Sequence, residues 1–181
     1  AFTNTVLAGT WEEQGDKSAT HELSRRAEDY ALTPVPWGGL LITAGVDTQG
    51  DRLEGYAYAA GRQNERWLVD HKVFYGDPSV PEDQPGSPWA QLTEWRRGQF
   101  THASGAQLPM SACAVDSGGH HTQQVYHYAR RHQAEHVLAI KGSSQANKPV
   151  LGKPSDIEVN FKGQRIKRGA LQLDQLPLLG R

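Results

Sequence analysis

The chain has 181 residues, 22% of them charged and 37% in the hydrophobic set, with a formal net charge of −1. That length suits one globular domain with an added arm, and no apolar run approaches the roughly 18 residues of a membrane-crossing helix. A single cysteine, Cys113, excludes an internal disulfide and a cysteine-based zinc cage and suits a reducing compartment.

The near-neutral total hides a split. Residues 141–181 hold eight Lys or Arg against three Asp or Glu, a net of +5, which leaves −6 for the first 140 residues. A basic C-terminal third beside an acidic region suits a protein that binds a phosphate backbone and holds metal ions, and a solvated basic hairpin has the same composition. The N-terminus is polar within three residues, so no secretory signal is expected. The chain begins without Met, and its one Met is Met110, so it reads as a piece of a longer protein.

Residues 1–36 read as an arm or linker and residues 37–181 as the compact domain. Within the arm, residues 18–26 suit a short helix capped by Ser18 or Thr20, and Pro34 and Pro36 block its continuation. Residues 40–47 are a near-continuous apolar run, which predicts a strand buried on both faces. Gly50-Asp51 predicts a turn into a strand over 52–61, and Gln63-Asn64 a turn into another over 66–75. A proline-rich loop follows over 76–86. Ser87-Pro88 reads as an N-cap with proline at the first helical position, and Trp89, Leu92, Trp95 and Phe100 lie along the predicted helix. A fourth strand covers 108–116, a helix 122–133 with Val125, Tyr128, Ala129 and His132 on one side, and a fifth strand 135–141. Residues 142–154 are a polar loop. Residues 157–161 and 164–168 alternate around Lys162-Gly163 as a hairpin, and 171–179 are apolar but carry Pro177. A three-strand meander followed by helix, strand, helix, strand is the order of a ribonuclease-H-like α/β domain, a mixed sheet flanked by helices. There the first and fourth strands are neighbours.

Two stretches carry the chemistry. Ile42-Thr-Ala-Gly-Val-Asp47-Thr-Gln-Gly-Asp51-Arg and Ala114-Val-Asp116-Ser-Gly-Gly-His120-His121-Thr each run a short apolar strand into an aspartate and a glycine turn. Hard divalent cations prefer carboxylate oxygens, and two ions about 3.5–4 Å apart clamp the attacking and leaving oxygens of a phosphate. Asp47 and Asp116 are therefore candidate metal ligands, against the simpler reading that each caps a turn. Ser117-Gly118-Gly119 would let the backbone pass close to a phosphate or metal, and Asp51 reads as a turn residue.

Adjacent histidines point in different directions, and neither has a partner at the spacing of a tetrahedral zinc site. His120 is a candidate for phosphate contact or proton transfer, or marks the helix start. Lys141 ends the fifth strand and is a candidate for neutralising the reacting phosphate, against a solvated strand end. Lys148, Lys153, Lys162, Arg165, Lys167 and Arg168 read as sequence-independent phosphate contacts. Cys113 lies between alanines in an apolar run and reads as a buried structural thiol. Trp67, Trp89 and Trp95 read as core residues.

The ordered blocks Asn4-Thr-Val-Leu-Ala-Gly-Thr-Trp-Glu-Glu, Thr43-Ala-Gly-Val-Asp47-Thr-Gln-Gly-Asp51-Arg-Leu-Glu, Val115-Asp116-Ser-Gly-Gly-His-His-Thr-Gln, Val125-Tyr and Ala139-Ile-Lys141-Gly-Ser-Ser resemble the nuclease region of the lambda-type (GpA) terminase large subunit. The resemblance runs from about residue 4 to about residue 155. It implies a ribonuclease-H-like fold, dependence on two Mg²⁺ or Mn²⁺ ions, and catalytic carboxylates at Asp47 and Asp116. It implies hydrolysis that leaves a 3′-hydroxyl and a 5′-phosphate, cutting concatemeric DNA into genome units. The implied partners are double-stranded DNA, a terminase small subunit and a portal protein, in an oligomeric motor in the bacterial host cytoplasm. A third acidic ligand is expected toward the C-terminus, where Asp174 is the one acidic residue after Glu158. The chain departs from the family pattern after about Arg168, which suggests that the domain continues beyond this piece. No Gly-x-x-x-x-Gly-Lys-Ser/Thr phosphate loop is present, so residues 1–36 are expected to lead from an ATPase domain lying outside the chain. The rivals are another ribonuclease-H-like nuclease of resolvase or transposase type, and a non-catalytic DNA-binding or motor-docking module.

Overall fold

The computed structural model describes residues 28–119, 121–143 and 171–174, together with Arg25. The chain divides into two units, residues 1–30 and residues 31–181, and every element below belongs to the second. The helix expected over 18–26 and the hairpin over 157–168 lie outside the described residues.

Strand β1 (Leu41–Thr48) buries Ile42, Ala44 and Val46 and turns Thr43, Gly45 and Asp47 the other way. Strand β2 (Arg52–Ala60) buries Leu53, Gly55, Ala57 and Ala59 in the same rhythm. A period of two with one buried face is the signature of a sheet packed on one side. The expectation that β1 is buried on both faces is thereby corrected: Thr43 and Gly45 are small and half-buried, so the run only looks uniformly apolar. The β1–β2 turn closes with Gln49 N–H donating to Arg52 O at 3.0 Å. Strand β3 (Arg66–Tyr75) completes the antiparallel meander. Its entry turn holds Gln63 and Asn64 at φ of 56° and 65°, a conformation that asparagine tolerates better than most residues.

Helix α1 (Pro88–Arg96) starts as its sequence dictates. Ser87 Oγ accepts from Trp89 N–H at 3.2 Å, and Pro88 fills the position where no N–H is needed. Trp89 anchors the preceding loop by donating Nε1–H to Pro78 O at 2.9 Å. Phe100 is not on this helix. It lies in a three-residue strand, β4 (Gln99–Thr101), antiparallel to β5 (Gln107–Asp116). Val35, just 1% exposed, bridges to His102, so the compact unit begins before Trp37.

Helix α2 (Thr122–Arg131) connects β5 to the parallel strand β6 (Val137–Ser143) through one 3-10 turn, Gln133–Glu135. The helix is shorter and the strand later than the sequence pattern suggests, because His136 takes the left-handed conformation (φ 55°) that ends the turn. Residues 171–174, ambiguous in sequence, form β7 (Leu171–Asp174), parallel to β6. The sheet order is β3-β2-β1-β5-β6-β7, with β4 paired to β5. Both helices cover the same face: Trp89 and Leu92 of α1 and Val125, Tyr128 and Ala129 of α2 pack with Val46, Leu53, Cys113, Val115 and Val137. Burial pushes the Cys113 thiol up to about 12, as befits an inert core residue.

A buried polar network fastens the loop 76–87 to this layer. Arg96 Nε donates to Tyr128 Oη at 2.9 Å, Tyr128 Oη and Thr93 Oγ1 are 2.9 Å apart, and Thr93 donates to Glu82 at 2.6 Å. His132 meets Glu82 through Nε2 at 2.9 Å and Glu135 through Nδ1 at 3.0 Å. Burial alone would raise the Glu82 pKa, but the bonds from Thr93 and His132 win and lower it.

Candidate functional site

The parallel β1–β5 register pairs Val46 with Val115. Asp47 and Asp116 follow by one residue each, so they stand side by side where their strands end, on chains about 4.8 Å apart. Alternation puts both on the face opposite the helices: Val46 and Val115 are buried, Asp47 is exposed and Asp116 half-buried. Thr48 Oγ1 reaches Asp116 O at 3.4 Å and ties the two strand ends together.

Each carboxylate is held locally. Gln49 Nε2 donates to Asp47 Oδ2. Asp116 Oδ1 accepts from Gly118 N–H at 2.9 Å, an Asx turn that starts the loop into α2. A Cβ on Gly118 would sit 3.3 Å from Oδ1 and 3.4 Å from Oδ2, and one on Gly119 3.4 Å from Thr48 O. Glycine at 118 therefore leaves the carboxylate open to an approaching ligand. Ser117 is buried and donates both N–H and Oγ to Ile140 O at 2.8 Å, and Thr122 Oγ1 closes the loop onto Ser117 O at 2.8 Å.

Among the described residues no group of three or more His, Cys, Asp or Glu side chains is arranged to hold a metal ion. Two adjacent carboxylates with open surroundings nonetheless fit a hard divalent cation, which takes one or two protein carboxylates and fills its other positions with water or substrate oxygens. Asp47 and Asp116 would be those ligands.

The other candidates separate. Lys141 is exposed, but alternation along β6 sends it to the side of Val137 and Ala139, whereas Asp116 shares its side with its register partner Ile140. Its candidate role in neutralising the reacting phosphate needs it at the sheet edge of the aspartates, and there the period of two puts it on the opposite face. Asp174 pairs with Ser143 while Asp116 pairs with Ile140. Its backbone position is thus two strands over and three residues further on, about 14 Å away by strand geometry. Asp51 is a turn residue, 74% exposed and ion-paired with Arg52 at 2.8 Å. His121 occupies the N-cap of α2 without a side-chain capping bond. His120, Lys148, Lys153, Lys162, Arg165, Lys167 and Arg168 lie outside the described residues.

The sequence reading missed Glu54 and Arg52. Glu54 pairs with Asp47 across the β1–β2 hairpin and so shares its face. Arg52 Nε donates to Glu54 Oε1 at 2.6 Å. The signal was present: a tight turn centred on Gly50-Asp51 sets residues 47 and 54 opposite each other.

The sheet order and the paired aspartates at adjacent parallel strand ends define a ribonuclease-H-like α/β domain. The profile of the family described as "Terminase large subunit gpA, endonuclease domain" matches residues 1–176. The terminase large subunit of Escherichia phage lambda is 31% identical over 154 residues, and that of Enterobacteria phage P21 is 31% identical over 153. Each alignment covers 84% of this chain and 23% of the relative, so the chain spans about a quarter of the length of the curated relatives it matches. Among solved structures, Thermus thermophilus RuvC is similar at 15% identity and a TM-score of 0.35, over 56% of this chain and 62% of RuvC. RuvC of the same organism in complex with Holliday junction substrate gives 15% identity and 0.34, over 56% and 64%. The chain belongs to the terminase large subunit gpA endonuclease-domain family.

Proposed function

We propose that this domain is a metal-dependent DNA endonuclease that cuts concatemeric phage or prophage DNA during packaging. The observation that carries the reading is the placement of Asp47 and Asp116 side by side on one face, at the ends of β1 and β5. Asp47 and Asp116 would hold two divalent ions, Mg²⁺ or Mn²⁺. When bound, such ions supply Lewis acidity, activating water for attack on phosphorus and offsetting charge on the leaving oxygen. The chain's own residues do the positioning. Gln49 and the Gly118 N–H fix the two carboxylates, and the Ser117–Thr122 loop locks the end of β5. Hydrolysis would leave a 3′-hydroxyl and a 5′-phosphate.

The substrate of this reading is double-stranded DNA. The basic residues Lys153, Lys162, Arg165, Lys167 and Arg168 would hold its backbone, and phosphate contacts of that kind carry no base information. Residues 1–30 would lead from an ATPase domain. The assembled motor would add a terminase small subunit and a portal protein, as an oligomer in the bacterial cytoplasm. Among the described residues no helix is long and apolar enough to cross a membrane.

Nicking of supercoiled plasmid in Mg²⁺ or Mn²⁺ tests the reading. Asp47→Asn and Asp116→Asn should each abolish it without unfolding the protein, because an amide keeps the shape and loses the charge that holds a hard cation. Nicking by both variants at the unmodified rate would remove these residues as ligands. DNA binding without metal-dependent nicking would instead make the domain a docking module.

A further inference from the structure

The edge that carries Asp47 and Asp116 is strongly acidic. Glu54 stands opposite Asp47, and Asp51 lies at the hairpin tip. A duplex approaching four carboxylates meets like charge, which a cation on the same face would offset alongside the bound ions. Lys141 does not serve, because it faces the other side. Lys72 does not serve either: it pairs with Gly55, where a Cβ would strike the Trp95 ring at 2.8 Å, so both lie on the helix side. Arg66 pairs with Ala60 at the far end of β2, eight residues from Arg52 and about 26 Å along the strand. Arg52 alternates with buried Leu53, shares the face of Glu54, and pairs with Tyr75 on β3. Among the described strand Lys and Arg residues it is the one nearest the two aspartates on their own face of the sheet.

Its guanidinium is already oriented. Nε donates to Glu54 Oε1 at 2.6 Å and Nη1 to Asp51 Oδ1 at 2.8 Å, yet the side chain is 33% exposed. These bonds use two of its five N–H donors and fix the plane of the fork. A planar, pre-oriented fork is the geometry that binds phosphate bidentately, and a lysine cannot copy it.

We propose that Arg52 contacts a DNA phosphate beside the metal-binding edge, and that Glu54 is the positioning residue that aims it. This rests on the reading of the domain as a DNA nuclease and adds a substrate contact to it. Glu54 thereby acts through Arg52.

The test uses the whole 181-residue chain and a fluorescein-labelled duplex, with Ca²⁺ replacing Mg²⁺ so that binding is read without cleavage. Arg52→Gln should weaken binding and make the slope of log K against log[salt] shallower by about 0.9, the value of one lost phosphate contact. Arg52→Lys should keep the slope, since its charge remains, but bind more weakly than the unmodified chain. Glu54→Gln should also keep the slope while weakening binding. Stabilisation by Mn²⁺ without DNA should be the same in Arg52→Gln as in the unmodified protein. An unchanged slope in Arg52→Gln overturns the proposal, and so does a fall in its melting temperature with no change of slope, which would mark a structural role. The two readings fail separately. If Asp47→Asn loses Mn²⁺ stabilisation while Arg52→Gln keeps the full slope, only the Arg52 contact is wrong. If Asp47→Asn and Asp116→Asn both still nick plasmid, the nuclease reading falls, and the inference built on it falls too.

Discussion

Asp116→Asn separates the metal from the fold. Two unit charges 4 Å apart attract by about 1 kcal/mol in water and about 4 kcal/mol at an effective dielectric of 20. Asp116 is half-buried, which places it between these limits, and the ion is doubly charged. Removing its charge should weaken Mn²⁺ binding by about 2–3 kcal/mol, roughly 30- to 150-fold. Asp47 is more exposed, so Asp47→Asn should cost less. The metal-free fold should not suffer. Asparagine keeps an Oδ1 to accept the Gly118 N–H, and the substitution relieves repulsion between neighbouring carboxylates. The assay is thermal unfolding at increasing Mn²⁺. At 100 times its Kd, an ion stabilises by about 2.7 kcal/mol. That is about 5–11 °C for a chain of this size. With Kd raised about 100-fold, the same Mn²⁺ concentration stabilises Asp116→Asn by only about 0.4 kcal/mol, or about 1–2 °C. An equal Mn²⁺ shift in the two proteins would refute the assignment. A lower metal-free melting temperature in the variant would show that Asp116 is structural.

The buried network makes an acid-sensitive fold. Bonds from Arg97 and then His132 hold the Glu135 carboxyl at about 2, against a usual 4.5. A depressed carboxylate contributes stability above its unfolded pKa and loses it as pH falls toward its folded one, so this contribution should disappear between about pH 4.5 and pH 2. Urea midpoints should fall less steeply over that window in Glu135→Gln, and identical pH profiles would count against the network. On the sheet, Gly55→Ala should destabilise by about 1–3 kcal/mol through overpacking, because its Cβ would lie 2.8 Å from Trp95 Cζ3 and 3.3 Å from Phe74 Cε2. A chemical denaturation midpoint equal to that of the unmodified chain would show that the Trp95 ring gives way freely.

Much of the fold was legible because its signals are local. Alternation along 52–59, glycine and asparagine at the turns, and Ser87-Pro88 at a helix start act within a few residues, and the strands and α1 formed where those signals stand. Asp47 and Asp116 were legible for the same reason: each sits where an apolar strand runs into a glycine turn. The chain order of elements, with one helical crossover after the fourth predicted strand, also left few ways to bring those strands together. Short or late elements were not legible. Three residues of β4 carry too little periodicity to be seen, and Leu171–Asp174 becomes a strand because β6 offers it a parallel edge. The face on which a side chain emerges depends on pairing register, a long-range property. A one-residue difference in that alternation turned Lys141 away from the aspartates, and the β1–β2 register set Glu54 opposite Asp47 with Arg52 beside it. The sequence by itself determined which residues could bear the chemistry, because residue type and local spacing are written along the chain. Only the tertiary structure decided which of them share a face, because that requires strands distant in sequence to pair in one register.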